Sequence, residues 1–169
     1  MPIVPDAVPA DVEWESLVDA LWADEAVDPE SRVALMRELA DSAPHPALGA
    51  FELGGAYDSS GHEDEAAEQY AAAADAGLAT VDPLRAAQMA VQYASTLRNL
   101  GRLDEAIAML RDAPEHESTG SAPRVFLALA LHSAGRHDEA LRVAIETVEP
   151  TLPRYNRSVR AYAAALTDH

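Results

Sequence analysis

Apolar side chains recur at intervals of three and four residues along most of the chain, the spacing that lines one face of an α-helix. The first such run, roughly 10–24, carries Val12, Leu17, Val18, Leu21 and Trp22. A second follows Asp28-Pro29-Glu30, which reads as an N-cap, a first-turn proline and a first-turn acid. It runs to about Ala43, with Val33, Leu35, Met36 and Leu39 expected inside. Further periodic stretches predict helices at roughly 47–59, 63–77, 83–99, 103–112, 121–133, 137–148 and 152–167. Between them lie Pro44-His45-Pro46, a connection at 77–81, a polar loop at 114–120 and Pro150. Asp82-Pro83 repeats the cap-and-proline start, and Ser121 is the expected cap of the helix that follows the polar loop. Residues 1–8, with Pro2 and Pro5, read as an irregular lead-in. The expected fold class is all-α, with about nine helices.

Three of the breaks share one six-residue stretch. Gly61-His62-Glu63-Asp64-Glu65-Ala66 returns as Gly101-Arg102-Leu103-Asp104-Glu105-Ala106 and as Gly135-Arg136-His137-Asp138-Glu139-Ala140, the glycines 40 and then 34 residues apart. Such a period holds two helices of a dozen or so residues and two short turns. Each glycine sits where the chain reverses and a left-handed backbone is cheap. The acids behind it face the positive end of the next helix dipole, a structural task that needs no catalytic role. Small residues are paired across each hairpin, Gly54 with Ala66, Ala94 with Ala106 and Ala128 with Ala140, where two helices are expected to approach closely.

These stretches resemble tetratricopeptide repeats. The register places repeats at 47–80, 87–120 and 121–154, with a degenerate hairpin at 8–43 and a capping helix at 152–167, all in one domain. Leu53, Gly54, Tyr57, Ala66, Tyr70 and Ala73 give the first repeat a near-ideal match. The family's signature tryptophan and its late proline are missing throughout. The resemblance implies a right-handed superhelical solenoid of antiparallel hairpins that binds a protein, as a peptide or helix, in a concave groove. The first helix of each hairpin would line that groove through Phe51, then Gln88, Val91, Gln92, Ser95 and Arg98, then Val125, Leu129 and His132. Phe51, Val91 and Val125 would form its apolar floor; the alternative is that Phe51 and Val91 simply face a neighbouring helix, such as the chain's own terminal one. The clamp by which some relatives hold chaperone tails is not expected: it needs lysine, which the chain lacks, and Phe51 and Gly55 stand where its first pair belongs.

Charge changes the picture at the two ends. The net charge of −17 falls entirely before residue 83, where 19 acids meet only Arg32 and Arg37; the remainder balances ten acids with ten arginines. An acidic half repels phosphate, which argues against nucleic acid and leaves a basic protein segment as an attractive partner. The bland reading is a dispersing acidic surface. Arg154, Arg157 and Arg160 recur every three residues as a ribbon on the last predicted helix, a candidate patch for an acidic or phosphorylated partner. The ribbon could instead be a solvated face, or it could meet the acidic half of another copy.

Candidate chemistry adds little. With no cysteine there is no thiolate nucleophile or disulfide. Histidines 45, 62, 116, 132, 137 and 169 show no ligand spacing, so no metal or other cofactor is expected. No nucleophile elbow or phosphate loop appears, and no enzyme is expected. Without a membrane-length apolar run or a secretory leader pattern, a cytoplasmic location is the expectation. A protein-interaction adaptor is the leading reading, a homo-oligomer such as a dimer the alternative, and an enzyme on a helical scaffold the third.

Overall fold

The computed structural model describes residues 10–168, so the lead-in read at 1–8 and His169 lie outside the described residues. Among those described, ten α-helices appear and no strand. They fall into two compact units, Met1–Asp82 and Pro83–His169.

The first unit holds α1 (Ala10–Ala23), α2 (Pro29–Asp41), α3 (Pro46–Ser59), α4 (Glu63–Asp75) and α5 (Leu78–Val81). Asp28 caps α2 by accepting from the Ser31 backbone N–H at 3.0 Å and from its hydroxyl at 2.7 Å, which holds the Asp28 carboxyl below its usual range. His45 does the same for α3 through Nδ1, which accepts from the Ala47 N–H at 3.1 Å. That cap was not legible in Pro44-His45-Pro46. The connection expected at 77–81 is the short helix α5, started by Gly77 at φ +84 and anchored by fully buried Leu78.

Two indoles tie α1 down. Trp14 Nε1 donates to the Leu39 carbonyl at 2.8 Å, and Trp22 Nε1 donates to Glu52 Oε2 at 2.7 Å. The buried face of α1 is therefore Trp14, Val18 and Leu21, with Val12 and Leu17 left half-exposed. On α2, Val33 and Met36 are buried but Leu35 is exposed. Leu35, expected inside, is therefore a correction, and Val12 and Leu17 are apolar positions that the fold leaves uncovered. An apolar stripe wider than the neighbouring helices can cover explains the difference.

The second unit holds α6 (Pro83–Asn99), α7 (Leu103–Arg111), α8 (Ala122–Ser133), α9 (His137–Val148) and α10 (Asn156–Ala165). Its core joins Ala94, Leu97, Ala106, Ile107, Leu110, Leu127, Ala130, Leu131 and Ala140. Ala106 is fully buried, so Ala106→Leu is expected to overpack the α6–α7 hairpin and cost about 1–3 kcal/mol, read as a lowered melting temperature. Ser121, expected to cap α8, makes no side-chain cap bond; its carbonyl instead accepts from Arg124 and Val125 at 3.1 Å.

The last helix is shorter than expected. A 3-10 turn at Glu149–Thr151 follows α9, and Tyr155 turns left-handed at φ +70 before α10 begins. Asn156 Nδ2 steadies this reversal by donating to the Glu149 carbonyl at 2.8 Å. Arg154 thus precedes the helix, and the expected three-arginine helical ribbon is broken.

All three motif glycines adopt the left-handed conformation, at φ +78, +75 and +75, with open space where a Cβ would stand. Each closes the same pair of bonds. Gly61, Gly101 and Gly135 donate to Asp58, Arg98 and His132, and the next residues donate to Tyr57, Leu97 and Leu131 at 2.8–3.0 Å. This is the Schellman ending, which satisfies carbonyls that a helix end would leave orphaned.

Candidate interaction surface

The repeated acids serve the turns. Arg102 forks onto Glu105 at 2.8 and 2.7 Å, and Arg136 onto Glu139 at 2.6 and 2.7 Å. Each pairing holds the glutamate's carboxyl below its usual range, chiefly through the arginine hydrogen bond. At the first turn His62 stands in the arginine's place and reaches Glu30 on α2 instead, Nε2 to Oε1 at 2.8 Å. That hydrogen bond is the main cause raising the His62 pKa above 6.5. A raised histidine stabilises the fold below its unfolded pKa, and the benefit fades as pH climbs through the folded value. An NMR titration is expected to place His62 above 6.5 in the native protein and closer to 6.5 in Glu30→Gln; equal midpoints would dismiss the pair.

The expected groove residues separate into covered and exposed groups. Phe51 is 6% exposed, with its ring centroid 6.4 Å from that of Tyr70. One turn further along α3, Gly55 lies under Trp22, which would sit 3.3 Å from an added Cβ. The face of α3 expected to hold a ligand is therefore occupied by the indole of α1. Val91 is also buried, at 9%. Neither side chain is offered to solvent as an apolar floor.

The second unit differs. Val125 and Leu129 stand one turn apart on α8 at 47% and 46% exposed, while Leu127, Ala130 and Leu131 beside them are buried. His132 continues the exposed face and meets His137 in a tilted ring contact, centroids 4.7 Å apart and planes at 56°. Next to α8 packs α6, whose Gln88, Gln92 and Ser95 are half-buried. Arg98 Nε donates to the Ser133 hydroxyl at 2.8 Å and so joins the two helix ends. Gln92 Oε1 is buried without a hydrogen-bond partner among the described residues.

The remaining arginines are mostly engaged. Arg111 reaches Glu139 at 3.3 Å, Arg124 and Arg142 converge on Glu146 at 3.1 and 2.8 Å, and Arg160 approaches buried Glu149 at 3.5 Å. Arg154 and Arg157 are exposed and meet no acceptor among the described residues. No group of three or more His, Asp and Glu there could hold a metal ion, and no helix is long and apolar enough to cross a membrane.

Antiparallel hairpins closed by a recurring glycine reversal, with one hairpin's first helix packed beside the next, define a helical-repeat protein. The family model for the tetratrico peptide repeat matches residues 47–166, and the chain belongs to that family. Its members are protein-interaction modules, generally scaffolds without catalysis. A search among curated proteins gives no significant match to the chain.

Proposed function

We propose that the protein is an adaptor whose second unit holds a helix or extended peptide of a cytoplasmic protein partner along α6 and α8. The observation that carries this reading is the half-exposed Val125–Leu129 pair on an otherwise well-packed first helix of a repeat. Apolar side chains at this spacing suit the apolar stripe of an amphipathic segment. Gln88, Ser95 and Arg98 supply a polar rim, and His132 marks the end of the strip. Phe51 and Val91, being covered, contribute to the shape of the scaffold and make no contact in this reading.

A photocrosslinking amino acid placed at Leu129, and in a second sample at exposed Ala108 on α7, tests it in lysate of the source organism. The expected result is a partner trapped from position 129 alone and lost in a folded Val125→Glu variant. The same proteins trapped from both positions would remove α8 as the binding face.

A further inference from the structure

Seven of the eleven exposed large apolar side chains among the described residues lie at the two ends of the chain. Val12, Leu17 and Leu35 belong to α1 and α2; Leu141, Val148, Tyr155 and Tyr162 belong to α9, α10 and the turn between them. In a stack of hairpins each repeat covers the apolar face of its neighbour, so a terminal hairpin ordinarily needs a polar outer surface. Neither end has one here. Leu17, Leu21, Leu35 and Leu39 line a cleft of ≈ 390 Å³ along α1 and α2. Ile145, Val148, Leu152 and Val159 line another of ≈ 310 Å³ where α9 turns into α10.

The charges at these ends differ. Residues 10–42, spanning α1 and α2, carry ten acids against Arg32 and Arg37, whereas residues 137–168, spanning α9 and α10, nearly balance five acids with four arginines. Arg160 has Glu149 for company, but Arg154 and Arg157 do not meet an acceptor within the described chain. Each end therefore combines uncovered apolar surface with charge that the other can meet: an excess of acid on α1 and α2, and the two arginines unpaired among the described residues, Arg154 and Arg157, at the start of α10.

We propose that the chain stacks on itself head to tail, the acidic α1–α2 face of one copy docking on the arginine-flanked α9–α10 face of the next. Leu17 and Leu35 of one copy are covered by Val148 and Tyr162 of its neighbour, and Arg154 and Arg157 meet the acids of α1. A second copy is favoured over a foreign segment because it satisfies both ends at once and in equal number. The two faces differ, so the contact is heterologous: every added copy brings a fresh face, and assembly proceeds until a ring closes or a filament grows. The surface is distinct from the α6–α8 strip, and either reading can fail without the other.

Sedimentation velocity of the full chain tests this, using Leu17→Glu to block the head and Tyr162→Glu to block the tail. Both positions are exposed, and circular dichroism checks that the variants stay folded; Arg154→Glu with Arg157→Glu is a second tail block. The wild type is expected to gain mass with concentration, its association weakening about tenfold or more from low to high salt as the charges are screened. Each variant by itself should remain monomeric, and an equal mixture should give a heterodimer and nothing larger. A wild type that stays monomeric at every concentration overturns the proposal. So does a variant that self-associates, which would mean like faces meet, or a mixture that fails to pair while the wild type assembles.

Discussion

Replacing Tyr70 with alanine is expected to destabilise the first unit by about 3–5 kcal/mol, the cost of emptying a buried aromatic site. Tyr70 is the largest of the fully buried side chains. Burial also pushes its hydroxyl pKa upward, because the charged phenolate would lose its hydration inside the unit. Both tryptophans of the chain, Trp14 and Trp22, lie in this unit, so indole fluorescence in a urea titration reports its unfolding without interference from the second. The ring also explains why Gly54 is a glycine. A Cβ there would fall 2.7 Å from Tyr70 Cδ1. Gly54→Ala should therefore destabilise the native unit but stabilise it in the Tyr70→Ala background. There the clash is gone and only alanine's helix-propensity advantage of about 1 kcal/mol remains. The same sign in both backgrounds would show that Tyr70 does not set the α3–α4 approach.

The second large effect is expected at Gly49. It lies in the first turn of α3, where alanine would ordinarily be the better helix former, yet an added Cβ would stand 2.6 Å from the Ala40 carbonyl oxygen and 3.0 Å from the Ala43 Cβ. A carbonyl of a neighbouring segment cannot swing aside as a side-chain tip can, so α2 and α3 must separate. Gly49→Val is expected to cost about 3 kcal/mol, at the upper end of overpacking penalties and well beyond any gain in propensity. The fluorescence midpoint reads this too. An unshifted midpoint would mean that α2 and α3 do not approach closely at this point.

Much of this fold was legible because its rules are local. A left-handed reversal needs glycine, and three glycines before the same Asp-Glu pair announced three reversals. Asp28-Pro29 marked a helix start because cap and proline act within one turn. What escaped the pattern was decided by partners far away in sequence. Periodicity could mark Phe51 as apolar but not that Trp22, bonded to Glu52 thirty residues on, covers the adjacent Gly55. On α1 the pattern does not separate buried Trp14 from exposed Val12 and Leu17, since only the packing of α2 decides which part of a broad apolar stripe is covered. Tyr155 carries a left-handed backbone without being glycine, so the shortened α10 and the broken arginine ribbon gave no warning. Of the expected site residues, Val125, Leu129 and His132 kept their exposure because α8 leaves that face open.

Within each unit, the packing runs mostly between helices adjacent in the chain: α2 with α3, α3 with α4, α6 with α7, α7 with α8, α8 with α9. Closing such contacts requires only short loops to be ordered, and chains with so low a contact order fold in microseconds to milliseconds. The first unit needs nothing later than residue 82 for the hydrogen bonds of Trp14, Trp22 and His62. During synthesis it can therefore acquire its structure while the second half is still being made. Its indoles would reach their native fluorescence on the ribosome before the second unit is complete.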